Sequence, residues 1–341
     1  MTPINLPVVD MASNTNPLGA SSKALMALKT SVYECHTYPQ LLSLDLRDSI
    51  SRETDVDVDN IFIGNGSSEI IDIVIRSLCI TGRIALDTYG FIGFKNAAIA
   101  NGVHIVQFRG ASLFKTSIVD SLDFMDRSVS LIFFANPSNP GGYLESVDKI
   151  LAFMMCIPKN TIVVIDEAYI EYNNNYRELS CIRLLESFDN LIVLRTFSKI
   201  YGLAGARIGY ALGHKNAISR MNLVRQKFNV NLFAQVAASA ALTDHVHVEN
   251  SRRLNISFLD KMVSIFDNFG IDYYGLSGNF ITISTNNAVH RKLIERMSVN
   301  NILINDISRA YGLEGTIRIS VANEADTNRA CDIIGSIFID Q

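Results

Sequence analysis

The densest run of residues able to do chemistry is Arg195-Thr196-Phe197-Ser198-Lys199, continuing through Gly202-Leu203-Ala204-Gly205 to Arg207-Ile208-Gly209-Tyr210. A lysine amine attacks a carbonyl only in its neutral form, which burial beside other cations favours. Arg207 follows Lys199 by eight residues, and its planar fork can grip a phosphate with two parallel bonds. Thr196 and Ser198 add hydroxyl donors, and the glycines let backbone approach closely. An isolated Ser-Lys pair on a glycine-rich loop would read as an exposed lysine. The whole string reads instead as covalent capture of an aldehyde beside an anion site.

Three further stretches could serve such a site. Gly64-Asn65-Gly66-Ser67-Ser68-Glu69 stands between a strand and a helix. A helix start offers free N–H groups and the favourable end of the helix dipole to an anion. The same residues could equally form a plain N-cap. Ile165-Asp166-Glu167-Ala168-Tyr169 closes an apolar run. A carboxylate there can pair with a protonated pyridine nitrogen, or merely cap the next element. Asn136-Pro137-Ser138-Asn139-Pro140-Gly141-Gly142 follows another apolar run; the Asn139 amide could bond a ring hydroxyl, although alone the stretch is a turn. No dinucleotide or Walker A glycine pattern is present.

The elements that must position these residues follow from periodicity. Strands are predicted at Asn60–Ile63, Ile84–Leu86, Val103–Phe108, Ser130–Phe134, Ile162–Ile165 and Leu191–Leu194, separated by helix-length stretches. Ser67–Leu78 carries an apolar stripe at Ile71, Val74, Ile75 and Leu78. This alternation predicts βαβ units and a largely parallel sheet, with ligands at the carboxyl ends of its strands. Beyond Asn231 the pattern changes to two helices, Leu232–Leu242 and Val248–Phe269. Short strands follow near Phe280–Ile283, Asn301–Ile304 and Thr316–Val321, then a last helix over Ala325–Phe338. That reads as a smaller α/β domain.

Composition narrows the class. The 341 residues are 48% hydrophobic and 19% charged, with 30 basic against 34 acidic side chains. That balance favours neither nucleic acid nor an anionic membrane surface as a partner. No apolar run approaches the ~20 residues of a membrane span, and residues 1–10 do not read as a secretory signal. Five scattered cysteines without paired spacing predict free thiols in a reducing cytoplasm and no structural zinc or other metal site.

Taken together, the four stretches resemble the class I/II aminotransferases of pyridoxal 5′-phosphate (PLP) fold-type I, and within them the histidinol-phosphate aminotransferase branch. The likeness runs from Ser13-Asn14-Thr15-Asn16-Pro17-Leu18-Gly19 to Ile317-Arg318-Ile319-Ser320-Val321. It implies an α/β fold: a large domain over 36–235, with a mostly parallel seven-stranded sheet flanked by helices, and a smaller α/β C-terminal domain over 236–341. An N-terminal arm over 1–35 packs with the small domain. It further implies that Lys199 carries PLP as an imine and then shuttles the substrate proton. Asp166 pairs with the pyridine nitrogen, Asn139 and Tyr169 bond the ring hydroxyl, and Tyr89 stacks on the ring. Gly66, Ser67, Ser68, Ser198 and Arg207 hold the phosphate with Thr196 near, and Tyr38 reaches the phosphate of a neighbouring subunit in a homodimer. Arg318 clamps the substrate anion, with Asn16, Asn139 and Asn305 on the substrate side.

The resemblance thus implies a transaminase acting on a small amine, phosphorylated ones included, and a 2-oxo acid. One departure bears on the amine: Ile304-Asn305-Asp306 carries Asn305 where the branch usually has a second arginine. Losing one charge-assisted contact weakens the hold on a phosphate dianion by roughly 1.5–3 kcal/mol. The alternative reading keeps PLP and changes the bond broken. The Asn14-to-Gly19 stretch is also similar to threonine-phosphate decarboxylases, and other fold-type I lyases or cyclases stay open.

Overall fold

The computed structural model describes residues 7–110, 113–124 and 128–339. Its strands are β1 (Val9–Met11), β2 (Ile61–Gly64), β3 (Arg83–Asp87), β4 (His104–Phe108), β5 (Leu131–Ala135) and β6 (Ile162–Asp166). They continue as β7 (Leu191–Thr196), β8 (Gly209–Gly213), β9 (Asp272–Tyr274), β10 (Phe280–Ser284), β11 (Ile302–Asp306) and β12 (Thr316–Ser320).

Seven of them form one sheet in the order β2-β8-β7-β6-β5-β3-β4. The pairs β3–β4, β3–β5, β5–β6 and β6–β7 are parallel, while β8 is antiparallel to both β2 and β7. Two reversals leave β2 running with the parallel strands, so the carboxyl ends of β2, β5, β6 and β7 meet at one edge. Those strands are apolar on both faces because helices cover both. Alternation divides the sheet cleanly. Ile132, Phe134, Val163, Ile165, Leu191 and Val193 join one core cluster, and Leu131, Phe133, Val164, Ile192 and Leu194 join the other. The second cluster includes Ile71, Val74, Ile75 and Leu78, the stripe of the helix Ser67–Leu78.

The smaller sheet has the order β1-β11-β12-β10-β9. Its β1 comes from the N-terminal arm and pairs parallel with β11, so the arm is stitched into the small domain through backbone bonds. A third core cluster, with Phe258, Met262, Phe266, Ile281, Ile319 and Ile334, fills this domain.

Two features depart from the sequence expectation. The strands β1, β8 and β9 were not predicted, because none of them is a continuous apolar run: β1 and β9 carry an aspartate, and β8 is bounded by glycines. The expected division after residue 235 falls inside the helix Leu232–Leu242. Ala234, Ala237, Ala238, Ala241 and Val248 still belong to the large core, and the small core begins at Phe258. The change of domain therefore lies within the single helix His245–Phe269, which spans both cores and has no linker for composition to reveal.

Candidate active site

Loops from the carboxyl ends of β2, β5, β6 and β7 converge on a cavity of about 370 Å³, which the N-terminal arm and β12 close from the other side. It is lined by Ser67, Ser68, Asn139, Asp166, Tyr169, Thr196, Ser198, Lys199, Arg207 and Arg318, together with Ser13, Asn14, Thr15 and Phe91. Strand alternation explains the cast from β6 and β7. Asp166 and Thr196 follow the parity of Val164 and Leu194 and reach the cavity. Arg195 and Glu167 fall on the opposite parity and turn behind it.

Asp166 is 4% exposed. Its Oδ1 accepts from the Ala168 N–H at 3.1 Å. Burial pushes its carboxyl up to about 7 from the ordinary 3.8, opposed by that backbone bond and by the charge of Lys199. The Lys199 Nζ lies 3.4 Å from the Ser13 carbonyl, to which it donates, and 5.4 Å from the centroid of the Tyr169 ring. The arm thus reaches the amine directly.

The anion corner is built mostly from backbone. Gly66 precedes the helix Ser67–Leu78 at φ +81°, and no side chain caps that helix. A Cβ at Gly66 would stand 2.6 Å from Arg207 Nη2, so the glycine is what admits the guanidinium to the helix start. Arg207 itself has φ +56°, and its Nη1 donates to the Ala204 carbonyl at 2.9 Å. The Thr196 Oγ1 accepts from the Ser198 N–H at 3.1 Å, which shapes the turn from β7 into Lys199.

On the opposite wall, Arg318 of β12 is 8% exposed. Its Nη1 donates to Asn139 Oδ1 at 2.7 Å and its Nη2 to the Ala12 carbonyl at 2.6 Å, while its buried Nε has no partner. Burial holds this guanidinium below its ordinary range, outweighing the opposing influence of the Tyr169 and Tyr311 phenols and of the Asp10 charge. The Asn139 Nδ2 donates to Tyr169 Oη at 3.1 Å. The turn that carries Asn139 is tied to β6 through Asn136, whose N–H donates to the Asp166 carbonyl at 2.8 Å, and to β10 through Thr282 and the Pro140 carbonyl.

Four sequence expectations are relocated. Tyr89 does not line the cavity; its ring packs edge-on to Phe114 at 6.0 Å, and Phe91, two residues on, lines the wall instead. Asn16 is spent on structure, with Nδ2 donating to the Ile200 carbonyl and Ser251 Oγ at 2.7 Å each. Asn14, on the same loop, is the one that faces the cavity. Asn305 pairs with Arg318 across β11 and β12 and stands 3.5 Å from the same Ala12 carbonyl, but it is outside the lining. Tyr38 is 82% exposed and stacks on Phe228 at 4.7 Å, beside an open hollow that Asn65 also lines; it takes no part in its own chain's cavity. Gly66 lies at the rim, where its role is the space it leaves.

The residues present fit PLP. The buried Asp166 carboxyl has one backbone donor and no cation bonded to it, so a protonated ring nitrogen would supply what it lacks. The Gly66 cradle leaves a helix start, two serines and an arginine around one corner, a donor set suited to a phosphate. The amine of Lys199 opens onto the same space.

The aminotransferase class I and II family model matches residues 7–334. The histidinol-phosphate aminotransferase of an Anaeromyxobacter species is 32% identical over 332 residues, covering 97% of this chain and 91% of the relative. Histidinol-phosphate aminotransferase 1 of Psychrobacter arcticus is 33% identical, covering 98% and 88%. The structure of histidinol-phosphate aminotransferase from Sinorhizobium meliloti in complex with pyridoxal-5′-phosphate superposes with a TM-score of 0.89 at 24% identity, over 98% of this chain and 92% of that one. An L-threonine-O-3-phosphate decarboxylase from Porphyromonas gingivalis shares the fold at a TM-score of 0.84 and 19% identity, over 98% and 100%. The chain belongs to the aminotransferase class I and II family and is a PLP-dependent enzyme of fold-type I.

Proposed function

We propose that this enzyme moves an amino group between an amino acid or related amine, phosphorylated amines included, and a 2-oxo acid in a ping-pong sequence. The observation that carries the reading is the meeting of Lys199, Asp166 and the Ser67 helix start around one cavity that Arg318 closes. Bound PLP supplies the electrophilic aldehyde and the electron sink. Asp166 holds the ring nitrogen in its protonated form. Ser67, Ser68, Ser198 and Arg207 hold the phosphate, with Gly66 leaving room and Thr196 shaping the turn. Asn139 and Tyr169 address the ring hydroxyl, and Phe91 takes the place expected of Tyr89 on the cavity wall. Lys199, whose amine opens onto the cavity, would hold the cofactor's aldehyde and is placed to take up and return the Cα proton of a bound amine. Arg318, which lines the cavity beside Asn139, receives the carboxylate of the amino acid or 2-oxo acid, and this charge-assisted contact orients Cα toward Lys199. The arm residues Ser13 to Thr15 keep water from that proton transfer.

A homodimer accompanies this reading. Tyr38 is exposed next to Asn65, at the outer side of the phosphate corner. Met26, Val32, Tyr33, Leu42 and Leu44 are exposed on the neighbouring segments. A second copy covering this face would bring Tyr38 to its partner's phosphate site. Mixing Lys199→Ala with Tyr38→Ala chains then regenerates one intact site per hybrid dimer, and activity reappears on mixing. The free cysteines suit a reducing cytoplasm, where we place the reaction.

The identity of the amine is tested by mixing the PLP-loaded protein with histidinol phosphate, phosphothreonine and aromatic amino acids in turn. The expected result is loss of the cofactor's visible band with one of these amines and its return with a 2-oxo acid. Release of carbon dioxide without that interconversion would overturn transamination. The curated relatives at 32–33% identity are named as aminotransferases, and the decarboxylase likeness is one of fold alone, so no observation favours the alternative.

A further inference from the structure

Asn14 sits at the crossing of three parts of the molecule. It is 1% exposed, lies on the arm and has left-handed backbone at φ +55°. Its N–H donates to Ser320 Oγ at 3.1 Å, and Ser320 Oγ lies 2.6 Å from Asn14 Oδ1. Its carbonyl accepts from Asn279 Nδ2 at 3.1 Å, and its Nδ2 lies 2.9 Å from Tyr169 Oη. Arm, small domain and large domain therefore share one residue.

The directions of these bonds form one consistent set. A guanidinium has no acceptor, so Arg318 Nη1 must donate to Asn139, which fixes that amide's oxygen toward Arg318 and its Nδ2 toward Tyr169. A backbone N–H must donate, so Ser320 Oγ accepts from Asn14, and of the two settings of the Asn14 amide the one with Oδ1 toward Ser320 gives that hydroxyl proton its acceptor. That turns the Asn14 Nδ2 toward Tyr169 as well. The Tyr169 oxygen thus receives two donors, one on each lone pair. Its hydroxyl proton has a single role left, which is to donate into the cavity.

We infer that Asn14 is a positioning residue that, with Asn139, poles the Tyr169 hydroxyl as a donor toward the cofactor. The inference rests on the PLP reading above. It adds that the setting of this phenol depends on the arm being seated against β12, because Ser320 orients Asn14. A phenol that receives two hydrogen bonds also donates more strongly, since bonds in a chain polarise one another. Donation onto the ring hydroxyl oxygen favours its anionic form, so the proton shared with the Lys199 linkage leaves at lower pH.

The test is a pH titration of the visible band of the full-length, PLP-loaded enzyme, with thermal unfolding of each variant alongside. Asn14→Gly removes the amide while tolerating the left-handed backbone. It should raise the titration midpoint by about half a pH unit, in keeping with the loss of one neutral hydrogen bond. Ser320→Ala, which frees the amide to turn over, should give a smaller shift of the same sign, and Ser320→Thr should restore the original midpoint. In a Tyr169→Phe background, Asn14→Gly should move nothing, because the group it acts through is gone. An unchanged midpoint in folded Asn14→Gly, or an equal shift with and without the Tyr169 hydroxyl, would overturn the inference. If Asn14→Gly fails to fold, an unchanged midpoint in Ser320→Ala overturns it equally. A wild-type protein that takes up PLP with no Lys199-dependent visible band would instead bring down the functional reading itself, and the inference with it.

Discussion

Arg195 and Arg318 are both buried arginines, at 3% and 8% exposure, yet their surroundings differ in kind. Arg195 donates through Nε to Glu167 at 2.9 Å, through Nη1 to Glu171 at 2.8 Å and through Nη2 to Ser180 at 3.0 Å. Glu167 in turn accepts from Ser180 Oγ and the Cys181 N–H. Burial opposes the Arg195 charge, but Glu171 and Glu167 more than offset it and hold the guanidinium well above its ordinary range. Arg318 has no carboxylate bonded to it among the described residues, with only the charge of Asp10 acting from further off, and keeps an unpartnered Nε. The neighbouring carboxylates repeat the contrast. Glu167 is saturated, while Asp166 has one backbone bond and a carboxyl pushed up to about 7. The ends of β6 and β7 thus send Glu167 and Arg195 to a closed charge cluster behind the sheet edge, while Asp166 and, from β12, Arg318 belong to an open one in front of it. A closed cluster holds the strand ends in place, and an open one is completed by what binds.

If that division is right, damage to the open cluster removes function and spares the fold. The largest effect belongs to Lys199→Ala: loss of the amine should lower transamination by about 10⁴-fold or more, since proton transfer and cofactor capture go together. Its unfolding transition should stay close to that of the unaltered chain. A large loss of stability in this variant would blur the distinction.

Damage to the closed cluster should do the reverse. Arg195→Met strands Glu167 and Glu171, both at most 2% exposed, without their cation. Breaking a buried ion pair by removing one partner typically costs about 3–5 kcal/mol. Urea unfolding should show that loss, and adding Glu167→Gln and Glu171→Gln should recover part of it, because the stranded charges are then gone.

Asp166→Asn sharpens the contrast from the other direction. In the cofactor-free protein the Asp166 carboxyl titrates at about 7 folded against 3.8 in the unfolded chain. Below about pH 4 both forms hold the proton, and between there and about pH 7 only the folded form does. Folding therefore loses stability as pH rises through that window, and above it the folded chain carries a buried charge. The asparagine variant should lack this fall and be more stable than the parent at pH 8, while its transamination collapses. Asp87, pushed up to about 6 by burial, titrates in the same window, so the difference between variant and parent is the quantity to follow.

The sequence disclosed the closed and open clusters unequally. The helices Ser67–Leu78 and Leu232–Leu242 were readable to the residue, because an apolar stripe or an alanine-rich run between polar caps leaves little freedom. Lys199, Asp166, Asn139 and Arg207 were readable only through the four stretches taken together, since a cap or a plain turn accounts for Asp166 or Asn139 alone. What a motif cannot specify is which of two neighbouring residues faces inward. In Thr88-Tyr89-Gly90-Phe91 the start of a helix chooses Phe91. On the arm, the positive φ of Asn14 sends its side chain to the cavity and leaves Asn16 to the backbone of Ile200. The second choice depends on β1 pairing with a strand that lies almost three hundred residues away. The closed cluster was invisible for a related reason: Glu167 and Arg195 look like ordinary charges until β6 and β7 are set side by side.

A smaller effect is expected at Arg318→Lys. The ammonium keeps the charge and loses the fork, so it cannot reproduce the bonds to Asn139 and Ala12 while also receiving a carboxylate. One charge-assisted bond corresponds to roughly a ten- to hundredfold rise in KM for the 2-oxo acid. PLP uptake should change little, because none of the phosphate-corner residues touches Arg318.

The smallest effect tests whether charge alone, without burial, can imitate either cluster. Arg253 pairs with Glu249 at 3.0 Å along one helix, but its side chain is 71% exposed. Water screens such a pair, and ordering two long side chains offsets most of what attraction remains. Arg253→Ala should shift the unfolding free energy by less than about 0.5 kcal/mol and leave KM unchanged. If it weakened the fold as Arg195→Met is expected to, the stability assigned to the closed cluster would belong to ion pairs in general. The burial of Arg195, Glu167 and Glu171 would then explain nothing.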